Sequence, residues 1–142
     1  MLSRTVTCEN YNGEMITKKL YFNLTAAELV TMDAQYNGGY ENFLNDAINN
    51  RDTKAIMDAF RALIRASYGI RTPDGNRFAK SPEICDEFEQ SPMYDEIFME
   101  MFLDPDKFRD FVHGILPNTD KYEKFAKKRE EDKAEALDGT VK

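Results

Sequence analysis

Residues 21–29 read YFNLTAAEL, and within them the apolar period of the chain changes. Up to Leu24 the pattern alternates. Ile16, Leu20, Phe22 and Leu24 fall on one face of an extended segment, Met15 to Leu24, interrupted only by Lys18. From Thr25 the spacing is helical. Thr25-Ala-Ala-Glu28 sets a hydroxyl three residues before a carboxylate, so that each side chain can cap the other residue's backbone amide, and this predicts a helix beginning at Thr25. A strand that runs straight into a capped helix predicts an α+β fold.

Working back from this junction, Arg4 to Glu9 also alternates, with Val6 and Cys8 on one face and Thr5 and Thr7 on the other. Asn10-Tyr11-Asn12-Gly13 supplies an Asn-Gly turn, so the chain is expected to open with a β-hairpin. Working forward, Asn37-Gly38-Gly39 stops the first helix. Tyr40, Phe43, Leu44, Ala47 and Ile48 then recur at helical spacing, and a third helix is expected from Thr53 to Tyr68, with Ile56, Phe60, Leu63, Ile64 and Ser67 on one stripe and Gly69 as its stop. Thr72-Pro73-Asp74-Gly75 predicts a turn. Ser81-Pro82, Ser91-Pro92 and Asp104-Pro105 each place a capping residue before proline at the first helical position, predicting helices over 82–90, 92–103 and 105–116. Pro117 closes the last.

The expected architecture is therefore mostly α: an N-terminal β-hairpin (1–24) packed on a compact bundle of about six short helices (25–117), forming a single globular domain over 1–117. Asp120 to Leu137 is charged with little apolar periodicity, so 118–142 is expected to be a frayed helix or a disordered tail. A chain of 142 residues with 42% hydrophobic content fits one modest core. The net charge of −7 and pI of about 4.8 argue against a nucleic-acid partner. No apolar run approaches the roughly 20 residues that a membrane helix needs. The opening MLSRTVTCEN lacks the apolar core and cleavage pattern of a signal peptide, so the protein is expected in the cytoplasm. Cys8 and Cys85, without a CxxC partner or a nearby histidine, are expected to be small buried apolar residues and not a disulfide.

Catalysis finds little support. His113, the single histidine, shares the polar side of its helix with Asp106, Arg109 and Asp110, opposite Phe108, Phe111, Val112 and Ile115, and is expected at the surface. No zinc set forms around it, and Asp104-Pro105-Asp106 lacks the glycine and distal glutamate of a calcium loop. Glycine-rich phosphate loops and nucleophile elbows are missing too. Glu83/Glu87 and Asp86/Glu89 could pair carboxylates, but acidic residues early in a helix are expected from its dipole alone. The chain reads as a non-enzyme with no cofactor or metal.

The positive signal is apolar. On a helical wheel with Met93 at zero, Met93, Ile97, Met101, Tyr94, Phe98 and Phe102 fall at roughly 0°, 40°, 80°, 100°, 140° and 180°. Asp95, Glu96 and Glu100 take the other half, with Met99 among them. An arc of half the circumference is wider than one neighbour needs. Either the helix packs on two neighbours, or its spare face receives a partner, a role suited to the adaptable methionine side chain.

Three segments, YFNLTAAEL (21–29), IRASYGIRTPDGNRFAKSPE (64–83) and SPMYDEIFMEMFLDPDKFRDFVHGILP (91–117), resemble in order and spacing the tail assembly chaperones of long-tailed bacteriophages and related prophages. The resemblance covers residues 3–117. It implies a small accessory protein, made in the cytoplasm of the bacterial host cell during tail morphogenesis and absent from the mature virion. Such a protein coats and solubilises the tape measure protein and helps recruit the tail tube protein. The family has no catalytic motif. Its members often occur in a short form and a frameshifted long form; the segment after Pro117 departs from members that end near that proline, and Lys127-Lys128 is a place where a slippery codon run could lie. On this reading Tyr94, Ile97, Phe98, Met101 and Phe102 are client or subunit contacts, with Phe108 and Phe111 next. The rival readings are an acidic interaction module or inhibitor bound to a host protein, and a small enzyme using a pocket of carboxylates with raised pKa.

Charge is also segregated. Residues 51–80 carry seven basic and three acidic side chains, and residues 81–119 carry two basic and ten acidic. One reading is complementarity within the chain; another is head-to-tail self-association between copies. If copies associate through these blocks, oligomer size falls as salt rises, which sedimentation across a salt series reads directly; a salt-independent profile removes the idea.

Overall fold

A computed structural model describes residues 1–117. The expectations for Asp120–Leu137 and for Lys127-Lys128 lie outside the described residues. The elements run β1 (Leu2–Glu9), β2 (Met15–Phe22), α1 (Ala26–Ala34), α2 (Tyr40–Asn49), α3 (Thr53–Ser67), β3 (Tyr68–Arg71), β4 (Phe78–Ala79), α4 (Pro82–Glu89), α5 (Pro92–Leu103) and α6 (Pro105–Ile115). This is the α+β, mostly helical fold that the sequence predicts.

The hairpin and the junction form as expected. β1 and β2 pair antiparallel from Leu2↔Phe22 to Glu9↔Met15. Gly13 takes the left-handed backbone that the turn requires, φ +81°, and its amide donates to the Asn10 carbonyl at 3.1 Å. Val6, Cys8, Leu20 and Phe22 are buried on one face while Thr5 and Thr7 are exposed on the other. At the junction the reciprocal cap is complete: the Glu28 amide donates to Thr25 Oγ1 (3.1 Å) and the Thr25 amide to Glu28 Oε1 (3.0 Å).

The sheet is larger than the expected hairpin. It has four antiparallel strands in the order β1-β2-β3-β4. Gly69 is not a helix stop: α3 passes directly into β3, and Gly69 lies opposite Tyr21. The reason for a glycine there is space. A Cβ on Gly69 would lie 2.7 Å from the Phe78 ring, which folds over this point from β4. The turn at 72–75 does form, with the Gly75 amide donating to the Thr72 carbonyl at 2.9 Å, and it joins β3 to β4. Strands of four and two residues are too short to show an alternation in the sequence.

Two smaller expectations fail. Ile48 was placed on the buried stripe of α2, but it is half exposed while Tyr40, Leu44 and Ala47 are buried, because α2 packs on α3 over a narrower arc. Ser91 does not cap α5 through its side chain; its hydroxyl donates instead to the Phe88 carbonyl at 2.6 Å, at the end of α4. Ser81 and Asp104 cap as predicted, accepting from the Ile84 amide (3.1 Å) and the Asp106 amide (3.0 Å). Both cysteines are buried and unpaired with each other.

One continuous cluster of buried side chains joins sheet and helices, from Val6 and Phe22 through Phe60 and Ile64 to Met93, Ile97, Phe111 and Ile115. The Gly69–Phe78 contact gives a test of the β3–β4 addition. Gly69→Ala is expected to cost about 1–3 kcal/mol by overpacking, read as a lower urea midpoint with an unchanged slope. An unaltered midpoint would mean that the ring yields freely.

Candidate functional site

The candidate site is α5 and the elements around it. Its wide apolar arc is divided. Met93, Ile97 and Met101 turn onto the sheet and are buried, with Met93 Sδ 3.3 Å from Cys8 Sγ on β1. Tyr94, Phe98 and Phe102 form the second half, an aromatic row with ring centroids 5.9 and 6.3 Å apart. Neighbouring elements close on that row. Phe88 of α4 meets Tyr94 edge-on at 5.6 Å. Phe60 of α3 meets Phe98 at 6.2 Å and Phe102 at 6.5 Å, and stacks on Phe108 of α6 at 4.4 Å. The helix therefore packs on more than one neighbour, the first of the two readings that its width allowed.

The seven residues expected to bind a partner separate accordingly. Ile97, Met101 and Phe111 lie in the interior, where a partner of the folded chain does not reach them; Phe111 packs edge-on against Phe22 at 5.1 Å. Tyr94, Phe98 and Phe108 are half-buried, and Phe102 keeps 37% of its surface exposed. The structure adds three exposed residues that the wheel did not single out: Met57 on α3, Met99 and, at 72% exposure, Leu103 at the end of α5. Met99 was visible in the sequence as a lone apolar residue on the acidic half of the helix. Leu103 carried no signal, because its exposure depends on α6 turning away at Asp104-Pro105.

The charge blocks meet inside the chain. Arg61 and Arg65 of α3 both pair with Glu89 of α4, and Arg65 also reaches Asp86 at 3.0 Å. Glu100 of α5 lies between Arg4 (3.4 Å) and Lys107 (3.2 Å). Lys80 donates to the Asn23 and Ala66 carbonyls and to Glu28, fixing α1 against the end of α3.

This arrangement gives acid–base chemistry little to work with. The carboxyls of Glu28, Asp74 and Glu89 are all shifted downward. Burial would raise Glu28, but its bonds with Lys80 and the Thr25 amide outweigh that; hydrogen bonding from Thr72 lowers Asp74, and from Arg61 lowers Glu89. The groove between α1 and α3, lined by Ala27, Met32, Tyr36 and Ala62, has Glu28 as its one carboxylate, and Lys80 occupies it. Burial raises the Cys85 thiol, whose Sγ lies 3.2 Å from the Arg65 carbonyl, the opposite of a reactive cysteine. His113 is exposed on the polar side of α6. Among the described residues no three His, Cys, Asp or Glu side chains are grouped to hold a metal ion, and no helix is long and apolar enough to cross a membrane.

A helical protein with a short sheet, a divided aromatic helix and its carboxylates tied into ion pairs has the build of a binding protein. The chain belongs to the phage tail assembly chaperone family, whose model matches residues 1–140. The match extends past Pro117, so the charged segment that the resemblance left outside falls within the family's span. No curated protein and no solved structure matches the chain.

Glu89 offers a test of the α3–α4 linkage. Its carboxyl is held below the ordinary 4.5, foremost by the hydrogen bond from Arg61. The stabilisation is therefore complete above that value and is lost as pH falls through the lower folded value. Glu89→Gln is expected to lower the urea midpoint at neutral pH, and the two proteins are expected to converge in acid. A difference that persists at about pH 2 would assign the effect to packing and not to charge.

Proposed function

We propose that this chaperone binds the tape measure protein in the cytoplasm of the bacterial host cell during tail morphogenesis, holds its apolar helical stretches apart, and helps recruit the tail tube protein. It acts by binding, without catalysis, and leaves before the virion is complete. Family membership over residues 1–140 carries this reading. The apolar ledge of Phe102, Leu103 and Met99 at the outer end of α5, bordered by the half-buried Phe98, Tyr94 and Phe108, supports it, since a helical client is held by laying its apolar face on such a surface. Acidic side chains beside the ledge limit self-aggregation and favour reversible contact. Several copies along one long client would accord with self-association.

Co-expression with the tape measure protein from the same genome tests this. Phe102→Asp is expected to reduce the recovered soluble tape measure protein by at least about tenfold, the effect of losing about 1.4 kcal/mol per site, while its own thermal unfolding stays near wild type. Met101→Asp, by contrast, is expected to unfold the chaperone. A folded Phe102→Asp chain that still keeps the client in solution would move the binding surface elsewhere.

A further inference from the structure

β1 is an outer strand of the sheet, and among the described residues one of its edges is free. The Asn10 amide donates to the Glu14 carbonyl at 2.8 Å, and the β1–β2 register carries that phase back along the strand. The backbone groups of Leu2, Arg4, Val6 and Cys8 thus point at β2, and those of Ser3, Thr5, Thr7 and Glu9 point away. The 2.9 Å approach of the Thr7 and Thr17 hydroxyls agrees, because side chains come closest at the non-hydrogen-bonded pairs. Among the described residues β1 pairs with no strand except β2 and no other backbone hydrogen bond reaches it, and Ser3, Thr5, Thr7 and Glu9 are all exposed. Eight residues of edge carry no proline, bulge or lysine, and the one inward-pointing charge, Arg4, is paired with Glu100. The free edge of β2 differs: Lys18 and Lys19 guard it.

α5 gives this edge a chemical preference. It runs antiparallel along β1, from Met93 beside Cys8 to Glu100 beside Arg4. Met93, Ile97 and Met101 face the sheet, and Phe98 and Phe102 turn towards α3. On the same wheel Glu96 takes the flank turned away from α3, and Glu100 beside it is held by Arg4 and Lys107. We propose that an extended protein segment with basic residues at alternate positions adds to the sheet as a fifth strand on β1. Its backbone pairs with Ser3, Thr5, Thr7 and Glu9, and its basic side chains on the α5 side meet the exposed Glu96. A second copy of the chain fits poorly: two β1 strands would lie about 4.8 Å apart, bringing together α5 helices that need about 8–10 Å between axes. This inference goes beyond the chaperone reading and does not depend on which protein is the client.

The probe is a ten-residue peptide of alternating lysine and valine, set against a peptide of the same composition with its lysines in one block and against an alternating glutamate–valine peptide. The alternating basic peptide is expected to slow hydrogen exchange at the amides of Thr5, Thr7 and Glu9, and the two controls are not. Thr5→Pro removes an amide that bonds nothing among the described residues, and is expected to weaken binding about tenfold with the circular dichroism unchanged. Glu96→Lys is expected to narrow the preference for lysine over glutamate. Equal binding of the block peptide, unchanged affinity in folded Thr5→Pro, or a dimer that Thr5→Pro dissolves would each overturn the proposal. Should Thr5→Pro fail to fold, exchange at the three wild-type amides decides.

Discussion

Phe22 has no exposed surface, and three rings from three other elements close edge-on around it: Tyr68 at 5.7 Å, Phe88 at 6.0 Å and Phe111 at 5.1 Å. Such edge-to-face contacts add directionality to what is otherwise non-directional burial. Backbone bonds anchor the same point, from the Asn23 amide to the Ser67 carbonyl (2.8 Å) and from the Leu24 amide to the Ile115 carbonyl (2.9 Å). The end of β2 therefore fixes the start of β3, the last turn of α4 and the last turn of α6 together. α5, strung between α4 and α6, inherits its position from them.

Burial and not charge supplies the stability of this arrangement. A large apolar side chain removed from water contributes about 1.5–3 kcal/mol, whereas an exposed ion pair contributes about 0–1 kcal/mol. The Arg61–Arg65–Glu89 cluster, centred on the half-buried Glu89, orients α4 on α3. It also pairs, within the chain, charges of the basic and acidic blocks. The buried polar groups are satisfied locally: the Ser67 hydroxyl donates to the Leu63 carbonyl (2.8 Å) and the Tyr40 hydroxyl to the Ala59 carbonyl (2.7 Å), and among the described residues no buried side-chain polar atom lacks a partner.

Much of the fold was legible because its signals are local. The Thr25–Glu28 cap, the Asn12-Gly13 turn, the Ser81 and Asp104 caps and the stripe on α3 all act over four residues or fewer, and each formed. The β3–β4 hairpin was not legible, since Gly69 reads as a helix stop until Phe78 is seen lying over it. Ile48 has the right spacing for burial but no neighbour to cover it. The candidate site was half legible for the same reason. The wheel identified α5 as the helix with surplus apolar surface, yet treated Ile97 and Met101 as equivalent to Phe102.

By itself, then, the sequence determined the periods, the caps and the turns, because backbone geometry and side chains within one helical turn or one hairpin decide them. It also determined that one helix carries more apolar surface than a single neighbour can cover. Only the tertiary structure decided which half of that surface is interior, which residues remain at the ledge, and that β1 keeps an open edge. Those outcomes depend on pairs such as Cys8 with Met93, Arg4 with Glu100 and Phe60 with Phe98, which are far apart along the chain and adjacent only after it folds.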